Sequence, residues 1–295
     1  MRAVLNDLRI AWAALRMLIA FTAVLGLAYP LLITGIAQLP GLRESADGSL
    51  VTHDGAVVGS ALIGQNFTDP NGMPLPQYFQ PRPSVGGYDP TASGASNLGP
   101  ESIVDTLPNP ADNADTGTQS LLTQVCTRSL DIGRFDGVDG SRPYCTDTGV
   151  GAVLAVFWTG PGYHGRVTRV VSVNQACPAT PFLPAYHGVP VRCAEYGQDY
   201  AAGQIVSIRG NAPTQPAVPP DAVTASGSGL DPDISPAYAA IQEARVARAR
   251  DIGVAQVAAL VALHQRGRDL GFLGESRVNV LQLNLALDRL YPYRP

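Results

Sequence analysis

Residues 17–36 read MLIAFTAVLGLAYPLLITGI, twenty consecutive positions without a charge. At about 1.5 Å per residue this run forms a helix about 30 Å long, the thickness of a bilayer's hydrocarbon core. A helix buried in a soluble core is seldom apolar on every side over such a length. A cleaved secretory signal has a shorter apolar part, although Gly35 and Ala37 are small enough for a signal peptidase. We read the run as a transmembrane helix over 17–36. Arg2, Arg9 and Arg16 precede it, whereas Arg43, Glu44 and Asp47 follow it. The positive-inside rule therefore leaves residues 1–16 in the cytoplasm and everything from Gln38 onward outside. Pro30, inside the span, predicts a bend.

Composition narrows the chemistry. The net charge of −4 gives no footprint for nucleic acid. All twenty basic residues are Arg, and there is no Lys. A Walker A loop needs its Lys, and so does the Asp-Lys-Thr-Gly-Thr motif of a P-type pump, so the chain is not a self-sufficient pump of either kind. His53, His164, His187 and His264 lie in unrelated contexts, and neither His-Glu-x-x-His nor Gly-x-Ser-x-Gly occurs. No catalytic residue and no metal site is assigned.

Cys126, Cys145, Cys177 and Cys193 all lie mid-chain, without a Cys-x-x-Cys pair. Separated cysteines in even number suit disulfides in an exported domain better than zinc. Of three possible pairings, sequence-local closure favours Cys126–Cys145 with Cys177–Cys193.

After the span, Leu50–His53, Asp54-Gly55 and Ala56–Gly59 predict a hairpin, because Asp-Gly supplies the positive φ angles of a type I′ turn. Its second arm is expected to continue to Gln65. The Pro-rich stretch through Tyr78–Ser84 reads as ordered loop, with Tyr78 and Phe79 expected to pack on the hairpin. Ser84–Tyr88 is superficially like a potassium-channel filter, but a filter lies within the membrane among four such loops, and this one reads as a turn. Residues 101–218, which hold every cysteine, contain strand-like runs at 150–158, 166–173 and 204–209 and read as a β-rich lobe bounded by Pro-rich linkers. Helices follow: one from Pro236, capped by Ser235, to Arg250, with Arg245, Arg248 and Arg250 near its negative end. A second covers Val254–His264, and a last runs from Asn279 to about Leu290, where Asn279 and Gln282 resemble a capping box. The alternating leucines at 281–287 leave a strand as the alternative there. The loop Ser226, Gly227, Ser228, Gly229 with Asp231 is the best binding candidate, since a Gly/Ser loop before a helix exposes N–H groups to an anion. The alternative is a helix-entry loop without a ligand.

Six strings appear in one order: Gly59–Gln65, Tyr78–Ser84, Ser96–Pro100, Thr224–Pro232, Gly271–Glu275 and Arg277–Leu281. In this the chain resembles the C subunits of the Kdp potassium-transporting ATPases (KdpC) over about residues 15–100 and 219–290. The resemblance implies an α+β extracytoplasmic domain from 38–100 and 219–295, anchored by one N-terminal transmembrane helix. Residues 101–218 then form an insertion, since the family usually joins the two parts by a short segment. Asp233 stands where the family often has His. The implied partners are a potassium-translocating subunit, a P-type ATP-hydrolysing subunit and a very small membrane subunit, which would handle K+ and ATP themselves.

The family is commonly described as raising the pump's affinity for ATP through the Gly/Ser loop. With that loop outside and ATP inside, about 40 Å of membrane separates them. The expectation is therefore a non-catalytic subunit that assembles or stabilises the complex and covers its outer potassium entrance, with any effect on ATP affinity allosteric. The other classes are a membrane-anchored extracytoplasmic hydrolase and a binding module.

Overall fold

Arg2 to Ala37 is helical throughout in the computed structural model, which describes residues 2–294. Helix α1 (Arg2–Phe21) passes into π-helical turns over Thr22–Ala28 and then into α2 (Tyr29–Ala37). Pro30 explains the change of winding. It has no N–H to donate to the carbonyl of Gly26, and its ring crowds that carbonyl, which a wider turn relieves. Among the described residues, Asn6–Ala37 is the one helix long and apolar enough to cross a membrane, and it starts upstream of the 17–36 boundary. A short α3 (Arg43–Ala46) leads to the hairpin of β1 (Leu50–His53) and β2 (Ala56–Ser60). Asp54 and Gly55 take φ of +49° and +82°, as the Asp-Gly turn requires. The second arm stops at Ser60 instead of reaching Gln65: its hydroxyl donates to Gly48 O and accepts from Leu62 N, which turns the chain. Residues 1–62 form one compact unit and residues 63–295 another.

In the second unit an irregular stretch precedes α4 (Leu121–Asp136). This helix lies within the segment expected to be β-rich, and it is the main departure from that expectation. Ser120 Oγ caps it by accepting from Thr123 N, and Gly137 closes it in the left-handed region at φ +74°. The strands follow as β3 (Val153–Gly160), β4 (His164–Ala176), β5 (Ala185–Tyr186), β6 (Val189–Ala194) and β7 (Gln204–Ser207). They form a sheet of order β5-β6-β4-β3-β7, antiparallel except for β4 beside β6. Both faces of its centre are covered. Leu154, Val156 and Val170 pack under Phe182 and Leu183, while Val153, Ala155 and Val173 pack under Leu122 of α4. Disulfides join Cys126 to Cys145, tying α4 to the loop before β3, and Cys177 to Cys193, tying the end of β4 to β6.

The remaining elements are α5 (Pro220–Val223), β8 (Asp233–Ile234), α6 (Pro236–Ala249), α7 (Val254–His264), β9 (Gln265–Arg266), β10 (Arg277–Asn279) and α8 (Val280–Leu290). The strands pair as β8-β10-β9. Ser235 Oγ accepts from Tyr238 N, and Asn279 Oδ1 accepts from Gln282 N, so both expected caps form. The last element is a helix, with Leu283 and Leu287 one turn apart and fully buried.

Residues 101–218 are not walled off. Val125, Ile132 and Val138 pack on the core shared by α6, α7 and α8, and Val218 in the expected Pro-rich linker is itself buried there. Phe79 is wholly inside this core, so the Tyr78-Phe79 pair packs among the C-terminal helices and not on the hairpin. Side-chain amides hold its backbone as a neighbouring strand would. Asn284 accepts from Phe79 N (2.9 Å) and donates to Phe79 O (3.0 Å); Gln242 accepts from Gln80 N (2.7 Å) and donates to Gln80 O (3.1 Å). Arg245 donates to the carbonyls of Pro76 and Tyr78, and Arg250 to that of Gln77. An extended segment without a sheet partner is thus satisfied almost entirely by α6 and α8.

Candidate functional site

Four of the motif strings meet around the Gly/Ser loop. Arg82 Nη1 reaches Asp231 Oδ2 at 2.8 Å, and Arg82 Nη2 donates to Thr224 O at 3.4 Å. Ser84 Oγ donates to Gly229 O (2.6 Å) and accepts from Tyr88 N (3.0 Å), while the Tyr88 hydroxyl donates to Arg82 O (2.6 Å). Gly94 N donates to Ser228 O and Gly64 N to Leu230 O, both at 2.9 Å. The turn expected at Ser84–Tyr88 is therefore a clamp on the loop. Two glycines are forced by it. A Cβ on Gly64 would run into the Tyr88 ring, and one on Gly229, itself at φ +69°, would lie 2.8 Å from Gly94 O.

Within this geometry the candidate residues have different surroundings. Gly229, Ser228 and Asp231 are engaged in loop-to-loop contacts, and Asp231 Oδ1 accepts from Asp233 N as well. The loop does not open a helix. Strand β8 intervenes, and the start of α6 is closed by Ser235 and by Asp221, whose carboxylate accepts from Ser235 N and Oγ. Ser226 and Gly227 instead border a cleft of about 250 Å³ with Ser96, Asn97, Gln124 and Arg128. Arg128 and Gln124 come from α4, within residues 101–218, and no motif pointed to them. Arg128 donates to Val223 O (2.9 Å) and Gln124 Oε1 (3.1 Å), and burial pulls its pKa below the ordinary Arg value. The cleft offers hydroxyls and one cation, with no nucleophile–base pair. Among the described residues no group of three or more His, Cys, Asp or Glu is placed to hold a metal ion. A larger cleft of about 410 Å³ lies between Pro81-Arg82-Pro83 and α4, and the buried Nε of Arg82 has no hydrogen-bond partner.

Asp233 sits beside this clamp, with Oδ2 3.2 Å from Arg277 Nε. Its pKa is raised, first by burial and then by the neighbouring Asp231, against the opposing pull of Arg277, Asn279 and Arg266. A carboxyl that binds its proton more tightly when folded stabilises the fold most at low pH, and that contribution is lost as pH rises from about 3.9 through the folded value. Asp233→Asn should remove this decline, so urea titrations across that range should show the variant's stability flattening relative to wild type.

The family model for the K+-transporting ATPase c chain, KdpC, matches residues 11–109 and 196–289. The chain belongs to the KdpC family. Curated KdpC relatives match it nearly end to end. The "Potassium-transporting ATPase KdpC subunit" of Kineococcus radiotolerans is 38% identical over 292 residues, 98% of each chain. That of Gemmatimonas aurantiaca is 38% identical over 96% of this chain and 94% of its own. The Mycobacterium tuberculosis subunit is 36% identical over 94% and 96% respectively. The KdpC model leaves residues 110–195 unmatched, whereas the Kineococcus alignment spans them. The clamped loop and the polar seam around Phe79 lie within the two KdpC-matched parts.

Proposed function

We propose that this chain is a non-catalytic subunit of an ATP-driven potassium-uptake complex, assembling or stabilising that complex and covering its outer potassium entrance. Membership of the KdpC family over nearly the whole chain carries the reading. One helix long and apolar enough to span a membrane supports attachment to the cell membrane with the bulk outside. Two disulfides in that bulk suit an oxidising compartment. The partners are the potassium-translocating subunit, the P-type ATP-hydrolysing subunit and the small membrane subunit, which carry the K+ and ATP chemistry that a chain without Lys lacks. Ser226, Gly227, Ser228, Gly229 and Asp231 then serve the fold of the outer domain, and any influence on ATP affinity is a coupling between distant sites of about 1–3 kcal/mol.

The test is omission. Membranes carrying the other subunits without this chain should lose K+-stimulated ATP hydrolysis and yield a dissociated complex on purification, and restoring the chain should recover both. An intact, fully active complex in its absence would overturn the proposal.

A further inference from the structure

The outward face of α7 lacks both charge and cover. Ala255, Ala259 and Leu263 lie along one exposed stripe, and the whole helix from Val254 to His264 carries no Asp, Glu, Lys or Arg. Leu263 is 80% exposed. Following α7, the tight loop closed by Asp269 pairing with Leu273 presents Leu270, 82% exposed, and Phe272, 70% exposed. Leu270 is also held at φ +53°, a left-handed conformation uncommon for a bulky residue. A helix face and the loop that follows it, exposing large apolar side chains this fully, mark an interaction site rather than a solvated face.

Charge identifies the occupant. The cations on the rim are already matched within the chain: Arg268 by Glu275 at 3.2 Å, and Arg277 by Asp233 and Asp269, each at 3.2 Å, while Arg266 donates to Gln282. Anionic headgroups are recruited by clustered cations, and a rim so balanced offers them little. A neutral apolar protein surface is complementary to it, since docking would bury no unmatched charge. The small Ala255 and Ala259 also let a partner backbone approach closely. The patch falls within residues 196–289, the second part matched by the family model, which describes one lettered chain of a transporter.

We propose that the α7 face and the Leu270–Leu273 loop form the surface on which an uncharged, apolar face of a fellow subunit of the same transporter docks. This rests on the subunit reading above. The test coexpresses the full chain with the other subunits and purifies the assembly in detergent through a tag on this chain. Leu270→Asp/Phe272→Asp and, separately, Ala259→Glu should each cut recovery of the other subunits at least tenfold, with the thermal midpoint of the chain itself unchanged. Because the four native cysteines are all in disulfides, Phe272→Cys supplies a single thiol as a non-disruptive probe. It should be alkylated readily in the isolated chain and at least tenfold more slowly in the complex. Full recovery with both charged variants, or equal alkylation in both states, would overturn the proposal. So would loss of binding to phosphatidylglycerol vesicles, or of self-association, while the other subunits remain bound. A wild-type chain that recovers no other subunit would instead refute the subunit reading.

Discussion

Arg245→Met should destabilise the full chain in detergent by about 3–5 kcal/mol, measured by urea unfolding, because it leaves a buried carboxylate without its partner. Arg245 Nε lies 2.7 Å from Asp136 Oδ1, with both side chains almost completely inaccessible. Burial raises the Asp136 pKa, and Arg245 opposes that shift. The guanidinium does more than balance charge. It also donates to Pro76 O, Tyr78 O and Gln242 Oε1, and it stacks 4.3 Å from the Phe135 ring centroid. One side chain thus joins α6, α4 and the Pro76–Tyr78 segment. The double variant Arg245→Met/Asp136→Leu should recover a substantial part of the loss, since it removes the stranded charge. A double variant as unstable as the single would place the cost in the carbonyl contacts instead.

Phe79→Ala is expected to cost about 3–5 kcal/mol, the range for truncating a fully buried aromatic side chain. Phe79 has no exposed surface and is among the largest side chains of the core shared by α6, α7 and α8. Relaxation should be limited, because Asn284 and Gln242 pin the backbone on both sides of the truncated residue. The urea midpoint should fall while the slope of unfolding against urea stays near wild type. A changed slope would mean that the segment leaves the core altogether.

How much of this the sequence disclosed depends on where the information sits in the chain. The long apolar helix, the Asp-Gly turn and the capped starts of α6 and α8 are written in contiguous residues and are legible there. Helix α4 is not, for a definable reason. Its buried positions are Thr123, Cys126, Ser129, Gly133 and Asp136. They recur at helical spacing, but small and polar side chains leave no hydrophobic period to detect. At Gly133 the neighbouring backbone demands the smallest residue, since a Cβ there would lie 2.5 Å from Gly140 Cα.

The site was legible only as a set of strings. Arg245 and Arg250 looked like cations near a helix end, yet they bind carbonyls and carboxylates far away in sequence, with Arg250 reaching Asp288 Oδ1 at 2.8 Å. Likewise the Gly/Ser loop is tied through the carbonyls of Gly229 and Ser228 to Ser84 and Gly94, contacts between segments far apart in sequence. Local patterns report caps and turns, whereas clamps made by distant segments become apparent only after folding.

The proposed role requires that residues beyond Ala37 lie on the opposite side of the membrane from ATP. A protease-cleavable tag after Pro295, in intact cells stripped of their outer layers, tests it most directly. Added protease should remove the tag while a tag placed before Met1 survives. A carboxyl-terminal tag that is protected until the membrane is permeabilised would contradict it.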